Sequence, residues 1–503
     1  MSDPRVEKER IEQTKGGLLY KSFSWILEND KFQQWRYSSN DRLLWVKGDA
    51  GKGKTMLLIG IINELRNEAQ SVSISDGGVV LYFLCQATDS RLNNALAILR
   101  GLIYLLITQR PSLVVHLQDK YEHTGSKLFD DSSAFYSLSE VFKEMLLDCQ
   151  QKPIYLVIDA LDECEEGLPQ LLNLITQTAN KFNHIKWVVS SRNRNDIEQQ
   201  LSLKDLHTRV SLELNATHIS HAVNVYIEDK VSQLVALQHD KPLQENICEQ
   251  LREKSDGTFL WVALVFEELQ KSRLRRDITR ILERIPKGIT PLYERMIRQI
   301  QQLEDDYPQL CLLLVSVAIL VFRPVHLLEI RTLTGLEEEI PDLEDLERII
   351  NMCGSLLTIR DNHIYLIHQS AKDYLTTEAS AIIFPTGSWR IHHNIFLRSL
   401  NALSKTLRQN IYDLKDFGPI ISNIVPDSNP LTPIRYSCVF WFDHLCACDS
   451  KTLEYSQELT NNGRVFAFLK KHLLHWIESL SLIHEISGGI LIIKSLLQKV
   501  QVY

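Results

Sequence analysis

No apolar run in this chain is long enough to cross a bilayer; the longest, Cys311 to Phe322, has the length of a buried helix. No Cys-x-x-Cys pair occurs among the nine cysteines, so the usual zinc spacing is missing. Their odd number and scattered positions argue against a disulfide framework and fit reduced core thiols. Positive charge is not in excess either: 55 Lys and Arg stand against 63 Asp and Glu, a net −8. Nothing therefore draws the chain generally to nucleic acid or to an anionic membrane. The opening residues, with Asp3, Arg5, Glu7, Lys8, Glu9 and Arg10, are too charged for a secretory signal. No internal repeat is found. A cytoplasmic protein of several domains is expected, its 44% hydrophobic residues ample for several cores.

Against that background one stretch carries chemistry. Gly48-Asp49-Ala50-Gly51-Lys52-Gly53-Lys54-Thr55 fits G-x-x-x-x-G-K-[ST]. Glycines let such a loop turn successive amides toward one phosphate, Lys54 reaches the β- and γ-phosphates, and the Thr55 hydroxyl ligates Mg²⁺. Leu43 to Val46 ahead of it reads as a buried parallel strand. Met56, Leu57, Ile59, Ile61, Ile62 and Leu65 behind it read as a helix whose first turn, Met56 included, faces the phosphates. Residues 48–56 are thus the candidate cofactor-binding set.

A strand from Ile154 ends in Asp159, and ligands of open α/β sheets bind beyond such strand ends. Asp159 is a second candidate metal ligand beside Thr55. In the following Ala160-Leu161-Asp162-Glu163, either Asp162 or Glu163 is placed to orient or deprotonate water. A further strand, Ile185 to Ser190, leads into Ser191-Arg192, where Arg192, with Arg194 as its competitor, is a candidate γ-phosphate contact. Val79 to Cys85 reads as another strand, helices are expected over 92–107 and 134–147 and a loop over 73–78, and the alternation around 209–214 marks a last strand.

The expected architecture is an α/β P-loop NTPase, a doubly wound parallel sheet, followed by a helical lid, a winged helix and a C-terminal helical region. The boundaries are 1–40 for an N-terminal helical flank, 41–215 for the NTPase domain, 216–288 for the lid, 289–380 for the winged helix and 381–503 for the remainder. In the winged helix a helix is expected over 324–334, and Leu356–Arg360 and His363–Ile367 flank an Asp361-Asn362 turn as a hairpin. Glu337, Glu338, Glu339, Asp342, Glu344, Asp345 and Glu347 lie on its approach, opposing a DNA-binding role. Beyond residue 385 the aromatic residues, Trp389 among them, read as core.

Taken together, residues 48–55, Ile158 to Glu163, Val189 to Arg192, Gly257 to Ala263, His368 to Leu375 and Phe83 to Asn94 resemble fungal NACHT NTPases. These belong to the STAND class, related to heterokaryon-incompatibility proteins and NOD-like receptors. The resemblance implies a signalling switch, ADP or GDP when closed and ATP or GTP when open, with self-association in the open form. It implies that Arg192 senses the γ-phosphate and that His368 touches the diphosphate. Ile367 and Gln369 replace the Met and Asp expected around that histidine, and Ala50 stands where many fungal relatives have proline. Effector or sensor proteins are the implied partners; no effector domain is legible ahead of Gly48 and no repeat array after residue 380. A continuously cycling ATPase or kinase, or a DNA-linked regulator, are the alternatives. Nothing in the residues separates ATP from GTP.

Overall fold

The apolar runs pair into one parallel sheet. In the computed structural model, which describes residues 3–500 except 72–77, 126, 131–132, 150–152, 202–206, 213–214, 238–239, 273, 414–428, 449–456 and 461–462, the chain divides into two units, 1–292 and 293–503. The first unit holds strands β1 (Leu43–Lys47), β2 (Val79–Leu84), β3 (Ile154–Asp159), β4 (Ile185–Ser191) and β5 (His207–Ser211). Their order is β2-β3-β4-β1-β5, every pair parallel. Leu44, Trp45, Val46, Leu156, Val157, Ile158, Val188 and Val189 are fully buried, as strands covered by helices on both faces require.

This order puts β4 between β1 and β3, so the loops leaving those two strands emerge on either side of Ser190 and Ser191. The helix Lys54–Ser71 follows β1 and packs on the sheet with Ala95–Gln109 and Leu168–Lys181, while Ala134–Asp148 packs on Ala95–Gln109. The helix expected from residue 92 begins instead at Ala95, where Asn94 caps it by accepting from the Ala97 amide at 2.8 Å. The last strand lies at 207–211 rather than 209–214, because Leu43–Lys47 pairs with His207–Ser211. Glu213 and Leu214, and residues 73–77 of the expected loop, fall outside the described residues.

The flank forms helices Pro4–Thr14, Tyr20–Phe23, Trp25–Glu28 and Asp30–Tyr37 rather than one short helix, and it buries Ile26, Phe32 and Trp35 completely. It approaches the Lys54–Ser71 helix at Gly60, where a Cβ would stand 2.4 Å from Phe23 Cδ2. Helices Ala216–Ser232, Lys241–Ser255, Phe259–Gln270 and Arg275–Arg284 close the unit.

The second unit contains helices Tyr307–Leu320, Leu327–Thr334 and Leu343–Met352 beside an antiparallel sheet of β6 (Val325–His326), β7 (Leu357–Arg360) and β8 (His363–Leu366), in the order β6-β8-β7. Asp361 and Asn362 have φ of 47° and 59°, the left-handed pair that a two-residue hairpin turn needs. The expected helix 324–334 is shorter by a strand. Val325 pairs with Ile364, and His326 then caps the helix: its Nδ1 accepts from the Leu328 amide at 3.1 Å while Glu329 reaches back to the His326 amide at 2.8 Å. Glu337, Glu338, Glu339, Asp342, Glu344 and Asp345 are all exposed. Further on, helices Ser388–Thr406, Arg435–Cys446 and Arg464–Leu482 gather around Phe396, Trp441, Phe468 and Trp476. Trp389 is half-buried at the start of its helix and stays out of that core, contrary to the expectation. Among the described residues no helix is long and apolar enough to cross a membrane.

Gly60→Ala sets a buried clash, about 1–3 kcal/mol, against a gain of roughly 1 kcal/mol in helix propensity. A lower denaturant midpoint is expected. An unchanged or raised midpoint would mean that Phe23 yields without cost.

Candidate functional site

The site is organised by what each strand end can bond to. The Gly48 amide donates to the Ser191 carbonyl at 3.2 Å, so the loop leaves β1 still tied to β4. Gly51 and Gly53 then adopt φ of 76° and 86°, open to glycine at little cost. Along the turn and into the first helical turn, the amides of Gly51 to Met56 have no acceptor among the described residues. Consecutive unpaired N–H groups at a helix start form a concavity that suits an anion.

Lys54 lies within this concavity, its Nζ donating to the carbonyls of Gly48 at 2.5 Å and Asp49 at 2.9 Å. Burial holds its pKa below the usual lysine value, opposed by the charges of Asp162 and Asp159. A desolvated ammonium of this kind gains from a nearby anion.

Asp159 is 2% exposed and accepts from the Ser190 hydroxyl at 2.5 Å, while Ser190 Oγ accepts from the Ala160 amide at 2.9 Å. Ala160 is left-handed, φ 55° and ψ 54°, a conformation costing an alanine about 1–2 kcal/mol. The short 3₁₀ turn Leu161–Glu163 follows at once and carries both carboxylates.

The two carboxylates have different surroundings. Asp162 Oδ1 accepts from the Arg192 amide at 2.9 Å and Oδ2 lies 3.2 Å from Arg192 Nε. Glu163 Oε2 accepts from the Ala87 amide at 2.9 Å. Burial pushes Glu163 up to about 7; the Ala87 hydrogen bond works against this, and the charges of Asp162 and Asp159 add to it. Of the two arginines, Arg192 is on the Asp162 carboxylate, whereas Arg194 pairs with Asp196 and gives Nη1 to the Asp162 carbonyl at 3.2 Å.

A second wall comes from within the segment 216–288, expected as a lid, although the contacts that form it were not read from the sequence. Lys52 Nζ donates to the carbonyls of Asp256 at 2.9 Å and Gly257 at 3.1 Å. A Cβ on Gly51 would meet Thr258 Cγ2 at 2.8 Å, and one on Gly53 would meet Phe259 Cδ2 at 2.9 Å. The turn 256–259 therefore lies against the loop, and the local signal for it is the Asp256-Gly257 dipeptide, with φ of 52° and 61°, that ends the helix Lys241–Ser255.

His368 belongs to the second unit. There its Nδ1 accepts from the Ser370 amide at 3.0 Å and caps the helix Gln369–Thr376. That bond leaves the neutral ring's proton on Nε2. Among the described residues, no group of three or more His, Cys, Asp or Glu gathers as a ready-made metal site.

Residues 21–192 match the family model described as nephrocystin 3, N-terminal. The vegetative incompatibility protein HET-E-1 of Podospora anserina is 44% identical over 513 aligned residues, covering 99% of this chain; the chain spans 37% of that protein's length. Among solved structures, the Walker-type ATPase PABY2304 of Pyrococcus abyssi aligns with 71% of this chain and 96% of its own, at 15% identity and a TM-score of 0.33. The Aeropyrum pernix ORC2 protein aligns with 72% and 94%, at 12% identity and the same score. Scores this low carry no functional information.

Proposed function

The chain carries a fungal NACHT-type NTPase core, and on that premise we propose that it is a nucleotide-operated signalling switch that binds ATP or GTP and hydrolyses it slowly. The observation that carries the proposal is the row of unpartnered amides from Gly51 to Met56 around the buried ammonium of Lys54. Amides and ammonium together match the oxygens of a polyphosphate.

In this reading Gly48 to Met56 hold the phosphates. The Thr55 hydroxyl and the Asp159 carboxylate fit a Mg²⁺ that arrives with the phosphate oxygens, since the protein donors are too few to hold it alone. The ion would neutralise charge on the transferring phosphoryl group. Ser190, by occupying Asp159 Oδ1, directs the other oxygen to that task.

The environments of Asp162 and Glu163 support a division of labour. Asp162 is engaged with Arg192 through both its amide and its Nε, so it positions the arginine that contacts the γ-phosphate. Glu163 takes the proton of the attacking water. A carboxylate near pH 7 is well matched to that work.

Diphosphate is proposed as the resting ligand, with His368 as the histidine that the resemblance assigns to it, and triphosphate as the ligand of an open, self-associating form that signals through effector or sensor proteins in incompatibility-like responses. The nucleotide acts only through its different affinity for the two forms. The boundaries proposed are 41–215 for the NTPase domain, 216–288 for the lid, 289–380 for a winged helix and 381–503 for a helical region. The exposed carboxylates at 337–345 favour protein over DNA as what that module meets.

Lys54→Ala is expected to lose triphosphate binding by about 100-fold or more in a fluorescent-nucleotide titration. Undiminished affinity would sink the proposal. Hydrolysis in a single turnover is expected to be low where Glu163 is protonated and to rise through about pH 7 as it ionises. Glu163→Gln should flatten that profile while binding persists; a step surviving in the variant assigns it elsewhere. For His368→Ala, diphosphate affinity should fall by more than triphosphate affinity, and equal losses remove His368 from the switch.

A further inference from the structure

The run Phe83 to Asn94, conspicuous in the sequence by resemblance alone, is a built turn. Past the end of β2 the Cys85 amide donates to the Asp159 carbonyl at 3.3 Å. The chain then folds on itself, Asp89 N to Gln86 O at 3.1 Å and Leu92 N to Asp89 O at 2.8 Å, around a 4% exposed Asp89 whose carboxylate holds the Arg91 amide and guanidinium. It is zipped to the loop after Glu163: Glu165 N donates to Asn93 O at 2.7 Å, Asn93 Nδ2 to Glu165 Oε2 at 3.0 Å, and Ala95 N to Glu166 O at 2.9 Å.

The first peptide of this turn is the one that matters to the carboxylate. Gln86 C=O and Ala87 N–H share one planar unit. Its oxygen is fixed by Asp89 N, and its N–H donates to Glu163 Oε2. The Gln86 side chain is held by the helix Pro4–Thr14: Oε1 accepts from Arg10 Nη2 at 2.7 Å, and Nε2 donates to Glu7 Oε2 at 3.5 Å. Glu7 and Arg10 are themselves paired at 2.9 Å. That helix is firmly seated. Asp3 accepts from the Arg5 amide at 2.9 Å and from Tyr104 Oη at 3.1 Å, and Pro4 approaches so closely that a Cβ on Gly101 would stand 3.1 Å from Pro4 Cγ and 2.6 Å from Phe83 Cδ2.

We propose that the Glu7–Arg10 clamp on Gln86 is a positioning device for Glu163, so that the first helix regulates the hydrolytic step through the Gln86–Ala87 peptide. The inference rests on the reading of Glu163 as the group that accepts the water proton. Gln86, Glu7 and Arg10 are positioning residues; displacing the helix slackens one amide and thereby one carboxylate. The other charged or titratable groups acting on Glu163 are Asp162, Asp159, Arg192, Lys54 and Cys85.

The test uses the full chain with Gln86→Ala, Arg10→Ala and Arg10→Lys. Hydrogen exchange at the Ala87 amide needs no turnover; it should quicken about fivefold or more in the two alanine variants and less in Arg10→Lys, which keeps a donor. The Ala87 N–H favours the ionised carboxylate, so its loss should raise the midpoint of the single-turnover pH profile above that of the parent protein, with triphosphate affinity within about twofold. Unchanged Ala87 exchange, or faster exchange with an unmoved midpoint, overturns the clamp. A pH step that depends on Glu163 but ignores Gln86→Ala overturns the clamp alone. A parent protein with no hydrolysis, or with a step that Glu163→Gln leaves intact, overturns the reading of Glu163 and the clamp together.

Discussion

The last two residues of β4 and the arginine that follows them bond to both neighbouring strand ends, and the site exists because of them. Ser190 takes the Asp159 carboxylate and the Ala160 amide, Ser191 takes the Gly48 amide on its carbonyl and the Trp45 indole N–H on its hydroxyl, and Arg192 takes Asp162. A strand that sits between β1 and β3 can do this only where its side chains are short enough to let the flanking loops approach. Serine meets that condition: both residues are fully buried, and an apolar side chain would leave the Asp159 carboxylate and Ala160 amide unpaired at 190 and the Trp45 indole N–H unpaired at 191. The order β3-β4-β1 is therefore a condition of the chemistry as well as a feature of the topology.

Around this stitch the protein maintains several locally unfavourable arrangements. Lys54 is desolvated, Glu163 is held near neutrality, Ala160 is left-handed, and a row of amides lacks acceptors. Each opposes folding, and the buried sheet beneath over-determines them all. They also share a direction, since a polyanion bound against the loop would partner the amides and the ammonium at once. The coincidence of these terms at one strand edge is better support for a phosphate site than any of them separately.

What was legible in the sequence follows from range. The strands β1 to β4 declare themselves by apolar runs, and the loop by glycines whose positive φ is a local necessity. The Asp361-Asn362 hairpin is legible for the same reason. Strand β6 was not, because two residues after Pro324 carry no period and their pairing with β8 is settled some forty positions away. Where β5 stops was also hidden, since alternation does not say which residues lie opposite β1. The wall at 256–259 and the Gln86 clamp are contacts between residues far apart in sequence, with only an Asp-Gly dipeptide or a polar run to mark them. The separation of Asp162 from Glu163 was beyond reach from residue type alone. It depends on which amide each carboxylate meets.

The two lysines of the loop express how the proposed phosphate-binding turn is joined to the rest of its unit. Lys54 bonds back to the loop's own carbonyls, Gly48 and Asp49, so it is free to exchange those acceptors for stronger, charged ones without breaking any contact to another element. Lys52 bonds outward to the carbonyls of Asp256 and Gly257, and Gly51 and Gly53 leave no space for a methyl group before Thr258 and Phe259. A loop that reshapes around a ligand must therefore either carry the turn 256–259 with it or give up those contacts. Because the turn ends the helix Lys241–Ser255 and begins the helix Phe259–Gln270, a displacement of the turn would be felt by both helices. The proposed switch needs such a stiff junction, since a ligand can shift an equilibrium only by the difference in contacts it makes in the two forms.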